Sequence, residues 1–194
     1  MADTKPIYKR VNGEWKKQTA FQRQNGEWVK ISNVKQEDYT LTYELTNNNT
    51  EYYVNSYSGE PIEVVIPSTY NGKPVTSISN WTFANCSSLR SVTIPDSVTS
   101  IGDLAFSACY SLTSITIPDS VTSIGYQAFS DCSLLRSVVI PNSVTSIGEG
   151  AFYGCDSLET IFCEAESQPR GWSLTWNYGG YSVVWGYDTG GSAD

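Results

Sequence analysis

Apolar residues in the middle of this chain recur in fixed columns. SVTIPDSVTSIGDLAFSACYSLT from Ser91, SITIPDSVTSIGYQAFSDCSLLR from Ser114 and SVVIPNSVTSIGEGAFYGCDSLE from Ser137 follow one another without a gap, at a period of 23 residues. An earlier copy runs from Glu63 to Arg90, where eight residues, Ser68 to Val75, replace the three of Asp96 to Val98. A period of this size predicts a solenoid, in which each unit stacks on the last and shares its core. One apolar column is Val64, Val92, Ile115, Val138 and Ile161, and the next is Ile66, Ile94, Ile117, Ile140 and Cys163. The others are Val75, Val98, Val121 and Val144; Ile78, Ile101, Ile124 and Ile147; Phe83, Phe106, Phe129 and Phe152; Leu89, Leu112, Leu135 and Leu158.

Within SVTIP the apolar residues alternate, the period of a strand with one face buried. Thr93, Thr116, Val139 and Phe162 then point outward from that strand, and Pro67, Pro95, Pro118 and Pro141 stop it. VTSIG reads as a second short strand ending in glycine. AF-x-x-C reads as one or two helical turns. The expected fold is mainly β with short helical turns: a right-handed solenoid of four 23-residue repeats, closed by β caps. Residues 38–62 form the N-terminal cap, a hairpin of residues 39–46 and 51–57 about Asn47-Asn48-Asn49. Residues 63–159 carry the repeats, 160–187 the C-terminal cap, and 188–194 a flexible tail. The caps are needed because an open stack leaves unpaired backbone groups at its ends. Trp172, Trp176 and Trp185 in the second cap can close the core or offer a platform for a sugar.

A second, shorter repeat precedes the solenoid. Arg10-Val-Asn-Gly-Glu-Trp15 recurs as Arg23-Gln-Asn-Gly-Glu-Trp28. Asn-Gly between extended flanks favours a two-residue hairpin turn, because both residues accept positive φ. Hairpins are therefore predicted about Asn12-Gly13 and Asn25-Gly26, with Tyr8, Trp15, Phe21 and Trp28 on their faces. About 35 residues enclose too little area for an independent core. Residues 1–37 are thus expected to act as an attachment module, packing on the solenoid, on another copy, or on a larger assembly.

Charge divides the chain in the same place. The net charge is −8. Residues 1–37 hold eight Lys/Arg and four acids, or +4, and the remainder holds four basic and sixteen acidic residues, or −12. Basic residues interleaved with Glu14 and Glu27 make a poor phosphate track, so no nucleic-acid partner is expected. The start, MADTKPIYKRVNGEW, has no apolar stretch of the kind a secretory leader needs. No segment approaches the length of a membrane span. The chain is expected to be made in the cytoplasm, without membrane insertion.

The repeat strings IPDSVTSIG and AF-x-x-C-x-x-L, over roughly residues 39–187, resemble the BspA-like leucine-rich repeat family. The lead-in at 41–62, the insertion STYNGKPVTSI and the tryptophan-rich end are similar to that family's first repeat and flanks. The resemblance implies a binding or adhesion role, often at cell surfaces, and no shared catalytic residues. The tandem Asn-Gly-Glu-Trp hairpins resemble segments of bacteriophage tail and fibre proteins. That second resemblance implies a virion-associated protein of the tail, fibre or head-decoration kind. Its hairpins would attach it, directly or as a homo-oligomer, and its solenoid would bind a host-surface protein or glycan. The alternative is a free bacterial adhesion or interaction protein, in the cytoplasm or brought to the cell surface by an unseen signal.

No enzyme is expected, and no cofactor. The chain lacks histidine, which removes Ser-His-Asp and Cys-His arrangements. Asp96 with Asp119, or Glu164 with Glu166, could in principle pair as glycosidase carboxylates. The first two belong to a turn column continued by Asn142, and the other two lie in a solvated cap. Cys86, Cys109, Cys132 and Cys155 stand 23 apart and read as buried thiols rather than metal ligands. Columns that change between copies are free to meet a ligand. These are Asn80-Trp81, Asp103-Leu104, Tyr126-Gln127 and Glu149-Gly150, then Tyr110, Asp131 and Tyr153. The candidate ligand surface is therefore Trp81, Tyr110, Tyr126 and Tyr153 on the turn edge, or Thr93, Thr116 and Phe162 on the outer strand face.

Overall fold

The computed structural model describes residues 4–11, 14–24, 27–30, 39–46 and 48–188, the first three segments as backbone alone. Thr4–Val11 pairs antiparallel with Glu14–Gln24, which pairs in turn with Glu27–Lys30. The registers Val11↔Glu14 and Gln24↔Glu27 leave two-residue loops, the lengths that Asn-Gly suits. The loop residues themselves lie outside the described residues. The two hairpins share their middle strand, giving a three-stranded sheet separate from those of the solenoid.

The rest is a β-solenoid. Its longest sheet runs along the VTSI strands: Lys73–Ile78, Ser100–Ile101, Ser123–Ile124 and Ser146–Ile147 pair in parallel, each residue opposite its repeat equivalent. A hairpin of Tyr39–Leu45 and Tyr52–Gly59 continues this sheet at its N-terminal end, with Val54 opposite Ile78. A bridge between Ile147 and Trp172 continues it at the other. Inside, one file of aromatic rings runs the whole length, through Tyr57, Phe83, Phe106, Phe129, Phe152 and Trp176. Successive centroids are 5.5, 5.1, 5.3, 5.4 and 6.5 Å apart. The four phenylalanines are fully buried and nearly parallel, with interplanar angles of 10°, 2° and 6°. Offset-stacked rings of this kind add to the area they bury.

These files count six coils where the comparison of sequence strings finds four. Val54, Ile78, Ile101, Ile124, Ile147 and Trp172 form one register, and Ile161↔Val183 with Cys163↔Trp185 extends another into the last coil. The end coils keep the positions but change the residues. In the coil of Ile78, next to the N-terminal end, Thr82 stands where later coils have Ala105, Ala128 and Ala151, and its hydroxyl lies 3.0 Å from the Val54 carbonyl of the coil before and 2.8 Å from that of Ser79. At the far end the Trp172 indole N–H donates to Val144 O at 3.0 Å. Trp172 and Trp176 are both 3% exposed, so they plug the core and offer no sugar platform.

Two further expectations change. The AF-x-x-C segments are not helical, and no helix occurs among the described residues. In the first of them the N–H groups of Trp81, Phe83 and Asn85 donate to Asp103, Ala105 and Ser107 of the next coil. Those of Thr82, Ala84 and Cys86 turn back on their own coil. Positive φ at Trp81 and Asn85, repeated at Leu104/Ala108, Gln127/Asp131 and Gly150/Gly154, produces the alternation. The reason is geometric. A helix is about 10–12 Å wide, so helical turns would splay one side of a stack whose strands lie about 4.8 Å apart, whereas this backbone bonds directly to the next coil. The SVTIP ladder is also broken. Ser91–Thr93 pairs with Glu63–Val65, and Ser137–Ile140 pairs with Thr160–Cys163, but residues 114–117 form no strand. Ile115 and Ile117 stay buried there, so packing holds the coil in place where the backbone ladder lapses.

Phe129→Ala tests the central file. Truncating a buried phenylalanine should destabilise the protein by roughly 3–5 kcal/mol. Denaturant unfolding that shows a loss under about 1 kcal/mol would rule out the stacked core.

Candidate functional site: the aromatic turn edge

Each turn segment begins at a glycine or serine after the VTSI strand and ends at the buried leucine column. Its inward residues are the alanine, phenylalanine and cysteine. Its outward residues are what remain for contact, and the structure sorts them by whether the fold uses them. Asn80 and Asp103 are used, since Asn80 Oδ1 accepts the Asp103 N–H at 2.8 Å and Asp103 Oδ1 accepts the Tyr126 N–H at 2.7 Å. Ser107 and Ser130, buried in the column of Tyr153, bond each other at 2.8 Å. Trp81, Tyr110, Tyr126 and Tyr153 project instead, at 58%, 50%, 42% and 46% exposure. Tyr178 of the last coil joins them, its ring 5.7 Å from Tyr153. Sequence comparison misses Tyr178 because the last coil lacks the repeat string that would align it.

Trp81 occupies the column of Leu104, Gln127 and Gly150, where φ is 63°, 55°, 47° and 58°. Glycine adopts this conformation freely, whereas a bulky side chain is strained by about 1–3 kcal/mol. At Gly150 the missing side chain opens a groove of about 200 Å³ lined by Gln127, Glu149, Gly150, Tyr153 and Tyr178.

The outer strand face is less uniform. Thr93 and Thr116 are exposed, but Phe162 is half-buried with its ring 4.7 Å from Tyr187. Tyr8, Trp15, Phe21 and Trp28 fall on the three strands of the N-terminal sheet, with Trp15 opposite Arg10 and Trp28 opposite Arg23 in the register. Their side chains lie outside the described residues.

The carboxylates weighed for hydrolysis have other positions. Asp96 and Asp119 are exposed turn residues, and Glu164 Oε2 accepts the Asn142 N–H at 3.0 Å. Among the described residues no cluster of His, Cys, Asp or Glu could hold a metal. The five cysteines are free and buried. Cys109, Cys132 and Cys155 each donate S–H to the carbonyl of Phe83, Phe106 or Phe129 in the preceding coil, at 3.2, 3.3 and 3.1 Å. The thiols therefore bind coil to coil as well as filling space. Burial pushes the Cys109 thiol well up and that of Cys163 up to about 12. The hydrogen bond with Cys155, and then burial, raise Cys132. Raised thiols are protonated and poorly nucleophilic.

Comparison with known proteins places this geometry in context. The pattern of the BspA type leucine rich repeat region matches residues 42–168 in six copies. A leucine-rich repeat protein of T. pallidum is similar in structure, with 32% identity and a TM-score of 0.54 over 63% of this chain and 68% of that one. Another, from Bacteroides capillosus, has 29% identity and a TM-score of 0.57 over 67% of this chain and 96% of its own. No curated protein matches the chain.

The thiols generate a pH prediction. Unfolded cysteine ionises near pH 8.5, and the folded thiols hold their protons to higher pH. Their contribution to stability is complete below about pH 8 and is lost as pH rises toward 12. Burial raises Tyr43 and Tyr57 too, with the same sign. The unfolding midpoint should be flat from about pH 6 to 8 and fall above that. A disulfide-exchange reagent should modify the five thiols only after denaturant is added. Rapid modification of the native protein, or a midpoint that rises above pH 8, contradicts the buried column.

Proposed function

The chain belongs to the BspA-type leucine-rich repeat family, and from that premise we propose that its turn edge, from Trp81 to Tyr178, is a binding surface for a protein partner. Repeats of this family generally mediate protein interaction or adhesion. Solenoids suit that role because they present long surfaces rather than closed pockets. The observation that carries the assignment is Trp81. A tryptophan, 58% exposed, stands at φ 63° in a column that the fourth repeat fills with glycine. Packing does not require it there, and the backbone disfavours it. Exposed aromatics are frequent interface anchors.

In its finer form the proposal gives residues 1–37 the task of attachment. Their charge of +4 against −12 for the rest, and their separate three-stranded sheet, support a module with its own partner. The assembly it would join is a phage virion, with the solenoid displayed at the virion surface toward a host protein or glycan. The alternative is a free bacterial adhesion protein, for which those residues would be dispensable.

Two measurements separate these readings. Trp81→Gly should leave the unfolding free energy unchanged or raise it by up to about 1 kcal/mol, because relief of strain offsets the added freedom of the unfolded chain. A loss larger than that would mean Trp81 serves the fold rather than a partner. The solution mass of the full chain, measured by light scattering beside a chain shortened to begin at Asp38, tests attachment. Oligomers of the full chain and monomers of the shortened one are expected. Two monomers of equal stability would favour the free solenoid.

A further inference from the structure

We propose that the groove at Gly150 receives a lysine or arginine side chain of the protein partner. The inference rests on the turn edge being an interaction surface, and adds the chemistry of what binds there. A groove of about 200 Å³ is smaller than the roughly 300–1,000 Å³ of small-molecule pockets, and fits a single long side chain. Its floor is Gly150, whose column carries a side chain in each earlier repeat. Its walls are two tyrosine rings, inclined at 63° with centroids 5.7 Å apart. They make a corner instead of the flat platform on which a sugar ring stacks. Two tyrosine rings in edge-to-face contact and a carboxylate line one small space, a setting for a cation, which is attracted to ring faces within about 6 Å.

The polar groups at the groove are unspent. Asn80 and Asp103, which precede Glu149 in its column, accept backbone N–H groups of the next coil. The Glu149 carboxylate and the Gln127 amide make no side-chain hydrogen bond among the described residues, and Glu149 is exposed. The turn segments around them carry acids and no bases. Residues 79–89, 102–112, 125–135, 148–158 and 171–181 contain four acids and no Lys or Arg. A neutral ligand would gain nothing from that charge, whereas a basic side chain would be drawn by it.

The test is an NMR titration of the full chain carrying 13C-labelled tyrosine. The probes are the blocked peptides Gly-Lys-Gly and Gly-Arg-Gly, with blocked Gly-Gln-Gly and cellohexaose as neutral controls. The expected result is saturable shifts at Tyr153 and Tyr178 with the cationic peptides alone, weakened by salt. Glu149→Gln should weaken the binding roughly fivefold. Gly150→Gln should block the site by restoring the side chain that Gln127 has in its own coil. A Cβ at Gly150 meets nothing closer than 3.5 Å, and Gln127 already adopts the required positive φ, so this variant keeps the fold. The proposal is overturned if the two tyrosines do not shift, or if all tyrosines shift alike and neither variant matters. It is also overturned if cellohexaose shifts them and the cations do not; a glycan would then occupy the groove. None of these outcomes bears on Trp81, whose glycine variant tests the interaction edge separately.

Discussion

Successive coils approach closely at Gly102, Gly125 and Gly148. A Cβ at any of these positions would lie between 2.4 and 2.8 Å from backbone atoms of the coil before. Real side chains do not tolerate such contacts, so the approach fixes both the residue and the spacing. From that spacing the rest of the solenoid follows. The VTSI strands pair residue for residue, and the phenylalanine rings repeat every 5.1–5.4 Å. The thiols reach the carbonyls of the preceding coil. The turn segments abandon the helix for a backbone that rises in step with the strands.

The same constraint explains the ends. A terminal coil has no neighbour on one side, so its backbone and core would face water. At the N-terminal end a hairpin supplies the missing strand, and Tyr57 stacks on Phe83. At the C-terminal end Trp176 takes the phenylalanine position, and the Tyr181 hydroxyl accepts the Cys155 N–H at 3.0 Å. Both ends preserve the inward file while changing the residues that compose it. Larger aromatics cover more of the exposed file than phenylalanine would.

The proposed binding edge is made of what the stacking leaves over. Inward positions are claimed by packing, and several outward polar groups are claimed by coil-to-coil hydrogen bonds. Asn80, Asp103, Ser107 and Ser130 belong to the second kind. Trp81, Tyr110, Tyr126, Tyr153 and Tyr178 remain, with an unpaired Glu149 among them. A column that tolerates glycine, leucine, glutamine and tryptophan on one strained backbone is a place where side chains can change without loss of the fold. Stacking constrains the backbone there and leaves the identity of the side chain to other demands.

By itself the sequence determined the solenoid, its 23-residue period, the inward columns and the buried thiols, because each is imposed on every coil alike and repetition makes it visible. The outward aromatics of the repeats were legible for the opposite reason, as breaks in the repetition. Tertiary structure alone decided the rest. The end coils kept positions and changed residues, so six coils read as four. The 83, 86, 89 spacing suits a helical turn locally, but the N–H groups of Trp81, Phe83 and Asn85 bond to the next coil instead. Tyr178 meets Tyr153 across 25 residues, in a coil whose sequence no longer repeats, and the groove between them exists because Gly150 lacks the side chain its neighbours carry. Contacts between coils depend on which residues stand next to each other in space, and a string of letters shows that only where the spacing between coils is constant.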